Sequence, residues 1–151
     1  MAAAGRERPP IDWDSLTFSF TETDRMFVAN GSWEDGWSEG RMVDFQPLNL
    51  SPAACVLNYG QGLFEGMKAR RTPDGKITLF RPEMNARRAA EGARRLVMPE
   101  VSESMFIKAV KKVAEENKRW VPPHGKGELY LRPILSVSYT HLTLPTNCVG
   151  G

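Results

Sequence analysis

A small α+β fold is what this sequence predicts. Three observations predict it. Short β-prone runs separated by turns fill the first half, two stretches of helical periodicity follow, and a strand-like run, ELYLRPIL, comes last. Strands, then helices, then a strand read as an antiparallel sheet with two flanking helices. The 151 residues suffice for one core, or one and a half.

The elements follow in order. Residues 1–15 read as a flexible polar arm and residues 16–136 as the folded domain. LTFSF and RMFVAN are expected strands. SWEDGWSEG is a glycine-punctuated turn, after which RMVDFQPL resumes an extended pattern. MKARRT and KITLF flank Pro73-Asp74-Gly75. Proline presets φ at the first corner and glycine accepts positive φ at the last, so a β-hairpin is expected there. Pro82 suits a helix start, where its missing N–H costs nothing. Met84, Ala89, Ala93, Leu96 and Val97 then recur at helical spacing, and Met98-Pro99 ends the run. Ser102 is the expected N-cap of a second helix whose inner face is Phe106, Val110, Val113, Asn117 and Trp120. In ELYLRPIL, Leu129 and Leu131 face one way, Tyr130 and Arg132 the other.

Composition excludes several classes. A formal charge of +2 and a pI near 8.6 are too mild for a nucleic-acid or anionic-membrane binder. No apolar run reaches bilayer length. The opening MAAAGRERPP has no apolar core of a secretory signal and is too brief for a transit peptide, so the chain as written reads as cytoplasmic. A plastid or mitochondrial address remains open if a leader was lost with an incorrect start codon. Cys55 and Cys148 form no metal or redox spacing and no disulfide framework, which suggests a reducing compartment.

Residues 137–151 stand apart. The codons GTC-TCT-TAT-ACA-CAT-CTG-ACG-CTG-CCG-ACG, which match the transposase adapter of short-read library preparation, would encode VSYTHLTLPT. The tail is therefore expected to be adapter read-through, and His141 and Cys148 are set aside as ligands, nucleophiles or bases. The preceding strand runs straight into it, so the fold is expected to be truncated.

The stretch NYGQGLFEG crowds Gly60, Gly62 and Gly66 around Phe64. A dinucleotide fingerprint needs a strand before the first glycine and a helix after the third. Here the spacing is G-x-G-x-x-x-G and a hairpin follows, and no Gly-Lys-Ser/Thr completes a Walker pattern. A tight helical turn packed on a sheet is the better local reading.

NYGQGLFEGMKA, LFRPEMNARR, NKRWVPPHGKG and LYLRPIL, in this order and spacing, resemble the small N-terminal domain of branched-chain amino acid aminotransferases, especially the plant-type enzymes. These are fold-type IV enzymes that use pyridoxal 5′-phosphate (PLP). The resemblance runs from about Asp12 to Leu135. It implies exchange of the amino group of Leu, Ile or Val with 2-oxoglutarate, in a homodimer with no nucleic-acid or membrane partner. It also implies a larger C-terminal domain, missing from this chain, that carries the Schiff-base lysine and the carboxylate at the pyridine nitrogen. No catalytic residue is then expected in these 151 residues, and the fragment alone is expected to be inactive.

The resemblance assigns roles by position. Arg88 matches the arginine at the cofactor phosphate, for which a guanidinium fork is suited. Tyr59, Phe64 and Tyr130, with Phe18 a weaker match, correspond to the walls of the substrate side-chain pocket, and the position of Tyr59 reaches into the neighbouring subunit's site. Arg132 corresponds to an arginine beside the substrate carboxylate. No metal is implied. Taken singly, these aromatics would be core residues and Arg88 one of four arginines on a solvated face. Glu65 and Lys68 are expected to form a local surface pair, and Lys68 is not the Schiff-base lysine. Two other readings stay open: a sister fold-type IV enzyme (D-amino acid aminotransferase or aminodeoxychorismate lyase), and a non-catalytic module whose basic helical face contacts an acidic partner.

Overall fold

A computed structural model describes residues 10–15 and 20–138. Phe18, most of the expected LTFSF strand and residues 139–151 of the tail lie outside the described residues. Nine short strands and three α-helices follow one another from Arg25 to Ser136 within them, and every strand pairing is antiparallel. The expected single sheet is divided into four small ones.

The first two sheets belong to the N-terminal turn region. β1 (Arg25–Val28) pairs with β4 (Arg41–Asp44), and between them β2 (Gly31–Ser32) and β3 (Gly36–Trp37) form a minimal hairpin that begins one residue before SWEDGWSEG. The predicted Pro73-Asp74-Gly75 hairpin is present. β6 (Met67–Arg71) pairs with β7 (Ile77–Leu79), and Gly75 takes φ 83° at the corner. The other edge of β6 pairs with β8 (Leu129–Leu131), giving the order β7-β6-β8.

ELYLRPIL is not one strand. It breaks at Arg132-Pro133, and β9 (Ile134–Ser136) leaves β6 to pair with β5 (Gly62–Phe64). Proline lacks the ladder donor, so the pairing stops where Pro133 sits. The Pro133 carbonyl instead accepts from the Glu65 N–H at 2.9 Å. α1 (Cys55–Tyr59) and β5 were not expected. α1 spans only five residues, too few for a readable period, and ends at Gly60 with φ 66°, a left-handed C-cap that glycine takes at no cost. The turn reading of the glycines therefore holds at Gly60, whereas Gly62 belongs to a strand. Cys55, buried at the start of α1, is disulfide-bonded, where the sequence led us to expect no disulfide.

The two predicted helices are α2 (Pro82–Arg95) and α3 (Glu103–Glu116). Ser102 caps α3 as expected, its hydroxyl accepting from the Met105 N–H at 3.2 Å. The inner face of α2 keeps Ala89 and Ala93 of the expected one but not its larger members. Ala86, Ala89 and Ala93 are buried, while Met84, Leu96 and Val97 are exposed. Small residues let the helix approach the sheet closely, and the larger apolar residues turn outward. One core results, built from Met67, Ala69 and Leu131 of the three-stranded sheet, Ala86 and Ala89 of α2, Phe106, Val110 and Ala114 of α3, and Val121.

Asn117 fastens α3 to β1. It is 1% exposed. Its Oδ1 accepts from the N–H groups of Asp24 (3.1 Å) and Arg25 (2.9 Å), and its Nδ2 donates to the carbonyls of Arg25 and Val113, both at 2.9 Å. A buried amide is tolerable because all four sites are used.

Candidate functional site

β6 and the residues leading into it set the geometry. In an extended chain, alternate side chains face opposite ways. Met67 and Ala69 are buried, and Glu65, two residues before Met67, is 3% exposed on the same side. Phe64 and Lys68 face outward. Tyr130 of β8 stands opposite Lys68 on that outer face, while Leu131 is buried beneath. The predicted division of β8 into a core face and a polar face is therefore observed.

Two groups of side chains meet along the segment Phe64-Glu65-Gly66. The first is Phe64, Tyr130 and Arg132. The Arg132 guanidinium lies over the Phe64 ring, 4.3 Å from its centroid, and 5.1 Å from that of Tyr130. Its Nη2 donates to the Tyr130 hydroxyl at 3.0 Å. A cation between two rings and a hydroxyl holds one orientation while its remaining donors face solvent. Phe64 and Arg132 also line a shallow hollow of about 250 Å³ with Val56, Leu63, Ile134 and Leu135. Tyr59 ends α1 and is exposed. It does not line this hollow, although the next residue, Gly60, does.

The second group is Glu65, Asn85 and Arg88. Arg88 projects from α2 and donates through Nε to Glu65 Oε1 (2.7 Å) and through Nη2 to Oε2 (2.6 Å). Asn85, one turn earlier, donates from Nδ2 to the same Oε2 at 2.7 Å and to the Gly66 carbonyl at 3.2 Å. Glu65 and Lys68 are thus not a surface pair. Glu65 is buried and serves Arg88, while Lys68 pairs with Glu128 at 2.7 Å, as does Arg70 at 2.6 Å. The alternation of the strand sends the two side chains to opposite faces. The hydrogen bond from Arg88 is the main reason the Glu65 carboxyl titrates below its ordinary value; burial opposes it and Asn85 adds to it. The same pair raises the pKa of Arg88.

Gly66 joins the groups. Its carbonyl accepts from Asn85, and the space a Cβ would take is filled by the Tyr130 hydroxyl. Arg88 itself does not line the hollow beside Phe64. Of the residues singled out by sequence, Phe64, Tyr130 and Arg132 thus form one cluster, with Arg88 one residue removed through Glu65. Sequence reasoning missed Glu65, Asn85 and Gly66 as the links. The run FEG, with its carboxylate between an outward aromatic and a glycine, was the available signal. The other α2 arginines make exposed ion pairs, Arg87 with Glu103, Arg94 with Glu100 and Arg95 with Glu91. Those pairs dilute the basic face that a non-catalytic binding module would need. Among the described residues no His/Cys/Asp/Glu cluster could hold a metal ion, and no helix is long and apolar enough to cross a membrane.

Solved structures share this fold. The chain superposes on a branched-chain aminotransferase from Thermoproteus uzoniensis crystallised with norvaline, with a TM-score of 0.60 and 23% identity, covering 83% of this chain and 37% of that one. An Escherichia coli branched-chain amino acid aminotransferase gives a TM-score of 0.58 at 20% identity, over 78% of this chain and 33% of that one. The chain thus shares the fold of part of each of these two enzymes.

Sequence comparison narrows the class. The methionine aminotransferase BCAT4 of Arabidopsis thaliana is 51% identical over 125 residues, 83% of this chain. Branched-chain-amino-acid aminotransferase 5, chloroplastic, of the same plant is 50% identical over 129 residues, 85% of this chain. The branched-chain amino acid aminotransferase 2, chloroplastic, of Humulus lupulus is 51% identical over 129 residues. The chain is similar to branched-chain aminotransferases over most of its own length, and it spans about a third of the length of these relatives (35%, 31% and 32%). No family model matches it.

Proposed function

We propose that the chain is the cofactor- and substrate-binding small-domain part of a PLP-dependent branched-chain aminotransferase, which exchanges the amino group of Leu, Ile or Val with 2-oxoglutarate. The observation that carries this reading is about half-identity to plant enzymes of that name over 85% of the chain. Two solved branched-chain amino acid aminotransferases described with the cofactor or its glutamate adduct share the fold. One is a PLP-form enzyme from Thermobaculum terrenum, and the other is complexed with N-(5′-phosphopyridoxyl)-L-glutamate.

The residues fit the group. A guanidinium has five N–H donors. Glu65 takes two of those of Arg88, and the exposed end of the fork keeps donors for a phosphate dianion. PLP, when bound, supplies the electron sink for chemistry at the amino-acid Cα. Arg132, held by Phe64 and Tyr130, offers its free donors to the substrate carboxylate. The two rings provide apolar wall for a branched side chain. Tyr59 and Phe18 are assigned to the same walls, Tyr59 across a homodimer interface. Exposed Leu57, Tyr59, Phe64 and Ile134 form apolar surface of the kind that a second domain and a partner subunit cover. Organelle residence belongs to the same proposal, because relatives are named chloroplastic and mitochondrial.

The test is a substrate panel on the full-length protein encoded by this gene. Leu, Ile and Val should be transaminated with 2-oxoglutarate, and R132A should raise KM for both amino acid and oxo acid. Turnover confined to D-amino acids or aminodeoxychorismate would overturn the reading. A second reading, preference for methionine, is favoured by the similarity to BCAT4. It requires methionine to exceed leucine in kcat/KM in the same panel.

A further inference from the structure

We infer that Glu65 and Asn85 are positioning residues for Arg88: they fix which edge of the guanidinium is offered to an incoming phosphate. The inference rests on the proposed role of Arg88 and deepens it. Arg88 by itself is a poor anchor. Its side chain is 70% exposed on a helix surface, and an unrestrained arginine has many rotamers to lose on binding. The carboxylate it meets is the opposite case, 3% exposed and fixed by the backbone that enters β6. Two parallel bonds, Nε to Oε1 and Nη2 to Oε2, lock the plane of the guanidinium to the plane of that carboxylate. The side edge of the fork is thereby consumed. The far end, Nη1 and the second hydrogen of Nη2, is aimed away from Glu65.

Asn85 completes the device. Its amide bonds both Oε2 and the Gly66 carbonyl, so the carboxylate cannot rotate away without breaking a bond to an amide that is itself tied to the backbone. Asn85 and Arg88 are three residues apart on α2 and so share one helix face. The helix thus holds both the held group and part of its holder. Such an indirect contact acts by orientation, as the partners of metal-ligating side chains do.

Glu65 also carries charge, and this gives the test its sign. Removing the carboxylate makes the surroundings of Arg88 more positive, which by electrostatics alone would tighten anion binding. Positioning predicts looser binding. Asn85→Ala changes no charge and isolates positioning. The experiment uses the 151-residue chain, with inorganic phosphate and PLP as separate probes, and follows the Arg88 Nε–H by proton–nitrogen NMR, assigned by its loss in R88A.

In the unaltered chain that Nε–H should be protected from exchange and should not shift when phosphate is added. In E65Q and N85A it should exchange freely, with the backbone amide spectrum retained as the check on folding. Phosphate affinity should fall roughly three- to tenfold in N85A, the range for immobilising one rotamer-rich side chain. If R88A binds phosphate as well as the unaltered chain, or no variant binds it, the assignment of Arg88 to the phosphate falls, and the Nε–H signal alone judges the clamp. If R88A loses binding while N85A keeps it and the Nε–H of the unaltered chain exchanges freely, the clamp falls and the assignment of Arg88 stands.

Discussion

At Gly66 a missing side chain holds two groups of residues together. The Tyr130 hydroxyl fills the place of its Cβ while the Gly66 carbonyl accepts from Asn85. Gly66→Ala should therefore push the Tyr130 ring outward and break its bond to Arg132 Nη2. The obstruction is the far end of a mobile side chain, so the stability cost should stay near 1 kcal/mol. A crystal structure of G66A with the Tyr130–Arg132 bond still at 3.0 Å would refute this. Glu65 adds a pH dependence. Its folded pKa lies below the ordinary 4.5, so the folded form binds the proton less well than the unfolded chain. Its contribution to stability is then complete above about pH 4.5 and is lost as pH falls through the lower folded value. Urea midpoints between pH 6 and pH 3 should decline for the unaltered chain, and the decline should be shallower for E65Q. Parallel slopes would show that Glu65 is not the group responsible.

Elements were legible in the sequence wherever a local rule was strong enough to act alone. Pro73-Asp74-Gly75 gave the hairpin, Ser102 the cap of α3, and the alternation of Leu129, Tyr130 and Leu131 the two faces of β8. The elements that were not legible depend on partners distant in sequence. β5 is a strand because β9 lies beside it, and β9 is separate from β8 because Pro133 cannot donate. Met84 of α2 follows the helical period yet lies outside, as do Leu96 and Val97 just past the helix, since closeness to the sheet selected alanines. The site divides in the same way. Arg88, Phe64, Tyr130 and Arg132 were found through whole motifs, while Glu65 and Asn85 became visible only when α2 was packed against the start of β6. Asn117 is the strongest such tertiary link, joining α3 to β1 across 92 residues of sequence. Asn117→Ala removes the side-chain acceptor of the Asp24 and Arg25 N–H groups and the donor to the Arg25 carbonyl, all part-buried, while the Val113 carbonyl keeps the residue-117 N–H. The expected loss is about 3 kcal/mol, or roughly 10 °C in Tm. Asn117→Asp keeps the acceptor but forfeits both donors and buries a charge, so it should be no milder. A Tm within 2 °C of the unaltered chain for N117A, an interval small beside the roughly 10 °C expected, would remove Asn117 from this role.

For the whole molecule, the question is where the folded unit stops. The expected adapter read-through would put the boundary after Ser136. The hydrogen bonds place it slightly later: the Val56 N–H donates to the Val137 carbonyl, and the Val137 N–H donates to the Gln61 carbonyl, both at 3.1 Å. The two boundaries are compatible. These are backbone bonds, so any residue but proline would make both, and a read-through valine can extend β9 without being native. They bind the end of β9 to α1, which carries Tyr59, and to the loop that leads into β5, which carries Phe64. We propose that, with Cys55 reduced, removing residues 139–151 does not destabilise the domain. A chain ended after Ser138 should match the Tm of the 151-residue chain within about 2 °C, the scale of a few tenths of a kcal/mol for this size. One ended after Ser136 loses two bonds of about 1 kcal/mol each and should melt several degrees lower. The comparison belongs in reducing buffer, because the two shortened chains lack Cys148, the only other cysteine of the sequence, and could not form the Cys55 disulfide in any case. Equal melting of the two shortened forms would show that the Val137 bonds are not stabilising. A large loss on removing 139–151 alone would show that the tail packs on the domain, and the read-through assignment would then have to explain a foreign segment that folds with its host.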